Sequence, residues 1–389
     1  MQTLRADMPS GASQTDSDEG RTPSVARVDL GAIAANARAL KAKLAPGTKF
    51  LAAVKANAYG HGAVPVARAL LAEGTDWLAV ATLAEGRELR EAGIGAPVLL
   101  MQGIRPDQAA GVVAGDFATF VYDAPVLEAL SAAASAQAKR ARVHIKVDTG
   151  MTRLGVMPQE LGALLEKTKS LPNIEIEGIC SHLSVAEDAG GALTALQKQR
   201  FAEALSLAEN KGVRPALRHL ANSSATILDP ETHYDMVRCG IAVYGEHPAV
   251  QTRGKIELQP ALAWTTQVHQ LKRIAAGEIV SYGATWKAQR ESLIAVVPVG
   301  YGDGYRRNLS NRARMIAGGK SCPVVGIVCM DLTMIDVTDV PGIVAGDEVT
   351  VIGATGGEHV SAAELAEILG TISYEVLTGI GARVARVYR

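Results

Sequence analysis

Between residues 48 and 245, short apolar runs alternate with longer runs rich in Ala, Leu and Glu, and the alternation repeats eight times. The apolar runs cover residues 50–55, 77–81, 97–101, 119–122, 143–147, 174–180, 216–220 and 236–243. The stretches between them, such as 83–92 and 124–138, are dominated by strong helix formers. Strands that alternate with helices must run parallel, because each return needs a crossover. Eight such units in about 200 residues predict a (β/α)8 barrel of the TIM type. A further helix is expected over 32–43, before the first strand.

After residue 258 the texture changes. Val, Ile and Gly dominate, and strands are expected over 293–299, 314–317, 323–328, 333–337 and 348–352. Ser361 and Glu364 have the spacing of a capping box, which opens a helix running to Leu369. The expected fold class is therefore α/β: a barrel followed by a smaller, mainly β domain. The expected divisions are a flexible tail over 1–25, the barrel over 26–257 and the second domain over 258–389.

Charge and cysteine usage narrow the function. The 39 basic and 40 acidic side chains leave a net charge of −1, with no long basic run to attract nucleic acid or an acidic membrane. No stretch approaches the ~20 apolar residues of a membrane span, and the first 25 residues lack the apolar core of a signal peptide. A cytoplasmic location is expected. Cys180, Cys239, Cys322 and Cys329 form no C-x-x-C pair, so reduced, buried thiols are expected and no metal site.

Strand alternation then sorts the polar residues. In the fifth strand His144, Lys146 and Asp148 share one side, while Val143, Ile145 and Val147 share the other. The apolar side packs on the helices, so the polar side points into the barrel. By the same alternation Leu51, Ala53, Lys55 and Asn57 share a side in the first strand. Arg238 lies in the eighth, and His182 and His219 lie near the ends of the sixth and seventh. Buried charges are costly unless paired. Several of them near the C-terminal mouth, where barrel enzymes place their sites, predict an enzyme.

Several segments then become legible as motifs. Residues 53–62 read Ala-Val-Lys-Ala-Asn-Ala-Tyr-Gly-His-Gly, 147–155 read Val-Asp-Thr-Gly-Met-Thr-Arg-Leu-Gly, and 219–224 read His-Leu-Ala-Asn-Ser-Ser. Further on stand Asp-Met-Val-Arg-Cys-Gly at 235–240, Val-Ser-Tyr-Gly-Ala-Thr at 280–285 and Val-Cys-Met-Asp at 328–331. In this order the set resembles that of alanine racemases along most of the chain. The resemblance implies pyridoxal 5'-phosphate as cofactor, a small amino acid as substrate, and a head-to-tail homodimer whose sites are completed by the other chain's second domain.

It also implies roles. Lys55 would bind the cofactor covalently and act as base toward D-alanine. Tyr282 would serve the L-enantiomer from the opposite face. Racemisation needs two such groups, because the α proton must leave one face and return to the other. Arg238 would face the pyridine nitrogen, where many pyridoxal enzymes place a carboxylate, with His219 behind it and His182 against the ring. Tyr59, Ser223, Tyr374 and the backbone at Gly240 and Ile241 would hold the phosphate. Arg153, Met330 and Asp331 would meet the substrate. Lys146 aligns with a lysine that many relatives carry carbamylated; left as a free cation it would repel Arg153. Leu183, Glu187, Trp286 and Ala385 depart from the common pattern without removing a catalytic group, and Glu187 and Trp286 put substrate breadth in question rather than the chemistry. The alternatives are a broad-specificity or serine-preferring racemase, a basic amino-acid decarboxylase, whose catalytic Cys and Gly-rich loop are not found, and a non-catalytic pyridoxal-phosphate carrier, which would resemble the barrel alone.

Overall fold

The computed structural model describes residues 24–389. The expected tail falls almost wholly outside these residues. Eight parallel strands form the barrel: β2 (Lys49–Ala53), β3 (Trp77–Val80), β4 (Val98–Leu100), β5 (Ala118–Val121), β6 (Ala141–Lys146), β7 (Ile174–Cys180), β8 (Leu217–His219) and β9 (Met236–Cys239). They pair in sequence order, and β9 returns to β2 with Leu51 opposite Arg238. The seam between β8 and β9 is drawn together by Asp235 N–H to Arg218 O at 3.0 Å and Arg238 N–H to Ala221 O at 3.0 Å. The Arg218 side chain also grips Asp235 at 2.6 and 2.9 Å.

The alternation argument holds along β6. Val143, Ile145 and Val147 join the large apolar cluster under the helices. The barrel interior is filled by Leu51, Trp77, Leu99, Phe120, Leu217 and Met236, and His144 and Lys146 are buried alongside. Helices follow the strands as expected, with caps that the sequence encodes. Thr82 and Glu85 form a capping box on Leu83–Glu91, and Asp123 caps Ala124–Ala136.

The second domain is built on a sheet whose strand order is Lys320–Pro323, Arg314–Ala317, Glu348–Thr355, Leu262–Gln267, a strand β1 (Val25–Val28) and Ala385–Tyr388. A smaller sheet joins Gln270–Ile274, Ser292–Val297 and Thr333–Asp336. Ser361 caps the helix Ala362–Leu369 as read, accepting from Glu364 N–H at 2.9 Å.

Three readings are corrected. The strand expected at 323–328 lies earlier, at Lys320–Pro323, because Gly318 and Gly319 turn the chain back onto Arg314–Ala317. The apolar residues Val324, Val325 and Val328 are buried between the sheets without forming that strand. Strand β1, grouped with the barrel by position, instead pairs antiparallel with Leu262–Gln267 and parallel with Ala385–Tyr388. Its four residues place only Ala26 and Val28 in the core at 0% exposure, a pattern too short to stand out in the sequence. Lastly, Lys55 and Asn57 do not continue β2, for the reason given below.

Candidate active site

Strand β2 ends at Ala53, and the chain then enters a turn that few sequences adopt. Ala56, Asn57, Ala58 and Tyr59 all have φ of 51–52°, a left-handed turn made without glycine. Each such residue costs roughly 1–2 kcal/mol, so the surroundings must impose the conformation. The Glu85 carboxylate accepts from Ala56 N–H at 2.7 Å, and the Asn57 carbonyl oxygen of the side chain accepts from Ala63 N–H at 2.8 Å. Gly60 closes the turn at φ 85°, where a Cβ would lie 2.4 Å from the Leu377 carbonyl. The turn therefore packs directly against the second domain, and Arg386 donates to Gly60 O at 3.0 Å.

This turn presents Lys55 to a cavity of about 780 Å³ at the C-terminal mouth of the barrel. Burial, and after it the guanidinium of Arg153, hold the Lys55 amine below its ordinary pKa, against the opposing pull of Glu85. Tyr59, Ser223, Gly240, Ile241 and Tyr374 line one side. Gly240 N–H donates to Ser223 Oγ at 2.9 Å, and the Tyr59 and Tyr374 rings stand 6.0 Å apart. A Cβ on Gly240 would lie 2.5 Å from the Tyr59 hydroxyl, so only glycine leaves that cup open. Burial raises both phenols, Tyr374 to about 12, so both stay protonated and able to donate.

Arg238 forms the floor. Its guanidinium donates to the carbonyls of Ser181 at 2.8 Å, Leu220 at 3.0 Å and His219 at 2.9 Å. It also lies 3.1 Å from His182 Nδ1 and 2.9 Å from His219 Nδ1. Arg is a donor only, so His219 Nδ1 accepts and its proton sits on Nε2. Nε2 in turn lies 2.8 Å from His144 Nδ1, and His144 Nε2 lies 3.3 Å from Glu177. The hydrogen bonds thus run in one direction, from the guanidinium through two imidazoles to a carboxylate at the far end of the barrel. Burial, then the charge of Arg238, push His219 well below its ordinary pKa, and burial lowers His144 despite Glu177. Both rings are neutral, as that chain requires. Glu177→Leu would leave the His144 Nε2–H without an acceptor. Urea unfolding is expected to show a loss of about 1–3 kcal/mol, and an unchanged midpoint would refute the assigned tautomers.

Lys146 and Arg153 line the cavity on the same side as His182. Burial lowers Lys146 to about 7, with Arg238 and Arg153 adding to the effect and Cys180 opposing it. Asp148 accepts from four successive backbone N–H groups, Gly150 to Arg153, at 2.8–3.2 Å, and so shapes the loop carrying Arg153. Those bonds hold its carboxyl below the usual range although burial opposes them.

Three expected site residues lie elsewhere. Tyr282 is 72% exposed and Met330 54% exposed, and neither they nor Asp331 line the cavity of their own chain. Tyr282 follows Ser281, whose φ of 67° and ψ of −176° fall in a region suited to glycine. The Ser281 hydroxyl is tied to Ile327 O at 2.6 Å, which fixes the turn. Asp331 is paired with Arg383 at 2.8 Å, and Arg383 also meets buried Asp303 at 3.0 Å. Among the described residues no cluster of His, Cys, Asp or Glu is arranged to hold a metal ion, and no helix is long and apolar enough to cross a membrane.

Family models describe both halves of this architecture: the alanine racemase N-terminal domain matches residues 28–248, and the alanine racemase C-terminal domain matches residues 261–388. The chain belongs to the alanine racemase family. Curated alanine racemases from Symbiobacterium thermophilum and Desulfovibrio desulfuricans are 46% and 42% identical over 370 and 366 residues, covering 95% and 94% of this chain and 98% of each relative. The crystal structure of the alanine racemase from D-cycloserine-producing Streptomyces lavendulae superposes with a TM-score of 0.90 at 37% identity, over 95% of this chain and 98% of that one. The alanine racemase from Bartonella henselae, with covalently bound pyridoxal phosphate, gives 0.85 at 31% identity over 94% and 99%.

Glu85 and Glu177 were not singled out, and His144 and Asp148 were read only as inward-facing side chains of the fifth strand, without the bonds they make. Local signals existed for two of them. Thr82 and Glu85 have capping-box spacing, and Asp148 opens an Asp-Thr-Gly turn. The pairing of His144 with Glu177 needs the β6–β7 register, which a single sequence does not carry.

Proposed function

We propose that this chain is an isomerase that interconverts L- and D-alanine with pyridoxal 5'-phosphate, as a homodimer with shared sites. The carrying observation is Lys55, an amine kept below its ordinary pKa at the mouth of a cavity that offers phosphate donors on one side and a pinned guanidinium on its floor. The residues present suit that cofactor. The open cup at Gly240, with the hydroxyls of Tyr59, Ser223 and Tyr374, fits a phosphate, and barrel enzymes often place phosphates at their last loops. When bound, the cofactor supplies an electron sink for the pair released at the α carbon.

The chain's residues do the rest. A neutral Lys55 Nζ is available both to bond the cofactor's aldehyde carbon and to take the α proton of D-alanine. The partner subunit's Tyr282 exchanges the proton on the other face, since the chain's own Tyr282 lies outside its cavity. Arg153 and the partner's Met330, through its backbone N–H, receive the substrate carboxylate, with the partner's Asp331 at the entrance. Arg238 stays charged and keeps the ring nitrogen from being protonated, which curbs side reactions. His219 holds Arg238, and His182 packs against the ring. The product suits D-alanine supply for cell-wall peptide, or its breakdown, in the cytoplasm.

L-Alanine in deuterated water provides the test. Optical rotation should decay to zero as deuterium enters the α position, and both changes should fade with serine and larger side chains. Equal rates with serine would favour a broader racemase, and a coloured protein without any change in rotation would favour a carrier.

Lys146 adds a prediction. With a pKa of about 7, its amine is substantially neutral at physiological pH, the form that adds carbon dioxide to give a carbamate and release a proton. Incubation with 13C-bicarbonate should give a carbamate carbonyl resonance that Lys146→Arg lacks. An identical spectrum for the two would mean that Lys146 remains a free amine beside Arg153.

A further inference from the structure

We infer that His61 is a positioning residue for the reaction: its imidazole clamps the left-handed turn that aims Lys55 and Tyr59 into the cavity. The inference rests on the reading that those two residues hold the cofactor.

His61 is fully buried, lines no part of the 780 Å³ cavity and has no place in the proton transfers. Its ring nevertheless sits against the strained segment. Nδ1 lies 3.1 Å from Ala58 O and 3.0 Å from Tyr59 O, the carbonyls of the last two left-handed residues. Both partners only accept, so Nδ1 must carry the proton. Nε2 is then left as an acceptor, and it is one of the few buried polar atoms with no partner among the described residues. The ring packs on Tyr244 with centroids 4.6 Å apart, and Tyr244 packs on Tyr59 at 4.9 Å. The Tyr244 hydroxyl donates to Ala53 O at 2.8 Å, the last residue of β2. Both ends of the turn are thereby referred to one aromatic pair. Burial lowers His61 to about 4, so the clamp stays neutral over the working range.

A residue that merely filled space would be replaced by any side chain of similar volume. A clamp through Nδ1 predicts a sharper order. Asn carries an N–H donor at the δ position, where His61→Asn keeps the bond to the two carbonyls. Gln carries its amide one atom further out, where His61→Gln keeps the polarity but moves the donor. Since Nε2 has no partner, omitting it costs no hydrogen bond, only the ring's packing on Tyr244.

The experiment is titration of the apo forms of the wild-type, His61→Asn and His61→Gln proteins with pyridoxal phosphate, followed by fluorescence and by circular dichroism of the visible band. His61→Gln should bind at least about tenfold more weakly, the worth of roughly one net hydrogen bond, with a diminished dichroic band. Its kcat should fall while KM for alanine stays within about twofold, because the substrate carboxylate is held elsewhere. His61→Asn should track the wild type in all three readouts. Equal impairment of both variants, or unimpaired binding in His61→Gln, would overturn the clamp even if both melt at lower temperature. If the wild-type chain itself takes up no cofactor, the functional reading falls and this inference with it. If the wild type binds and His61→Gln binds equally, only the role of His61 falls.

Discussion

Lys55→Ala is expected to lose the visible absorption of the bound cofactor and at least about 10⁴ in racemisation rate, the upper end of what one positioned acid–base group contributes. The same amine would serve two purposes, covalent attachment and proton transfer, so the two losses should appear together. Apo protein mixed with pyridoxal phosphate should still retain it weakly, because Tyr59, Ser223 and Tyr374 are untouched. Exogenous methylamine should recover part of the absorption but little of the racemisation, since a free amine is not held at the α carbon. A variant that keeps both its colour and its activity would remove Lys55 from the mechanism. Thermal stability should change little, because Lys55 makes no ion pair among the described residues and its removal relieves the burial of an amine held below its ordinary pKa.

Tyr282→Phe should be nearly as damaging, by about 10²–10⁴-fold, and its signature differs. With Lys55 intact, D-alanine in deuterated water should still exchange its α proton although its rotation barely changes. Mixing the two inactive proteins offers the sharpest outcome. If each site takes Lys55 from one chain and Tyr282 from the other, a mixed dimer carries one doubly altered site and one wild-type site. Co-refolded Lys55→Ala and Tyr282→Phe chains should therefore recover activity that neither has alone. No recovery, with mixed dimers verified by mass, would show that both groups act within one chain. The exposure of Tyr282 and Met330, and their absence from the cavity lining, favour recovery.

The barrel was legible because its signal is periodic and local. Eight apolar runs separated by helix-forming stretches admit few topologies, and strands such as Ile174–Cys180 fall where the runs do. The inward placement of His144 and Lys146 followed from a period of two along β6. That argument failed at Lys55 and Asn57. Strand alternation presumes continued strand, whereas β2 stops at Ala53 and the next residues turn left-handed under the hold of Glu85 and His61. Such a turn has no sequence signature beyond Gly60 and Gly62, since Ala and Tyr rarely adopt it. In the second domain the capped helix at Ser361 was readable from two residues. The sheet was less so, because antiparallel register depends on partners distant in sequence. The strands Leu262–Gln267 and Ala385–Tyr388 were missed for that reason. The motif set, spread over most of the chain in a fixed order, carried the family where periodicity could not.

Strand β1 has a consequence for how the molecule is made. It is the penultimate strand of its sheet, held between Leu262–Gln267 and Ala385–Tyr388, so a strand made before the barrel is seated by two made after it. At ~5–20 residues per second the wait between them is roughly 20–70 s. During that interval the whole barrel is synthesised and free to fold, while β1 presents unsatisfied edges to whatever it meets. In topology the barrel is an insertion in the β domain rather than its neighbour. Arrival of Ala385–Tyr388, not completion of the barrel, is the event that closes the architecture.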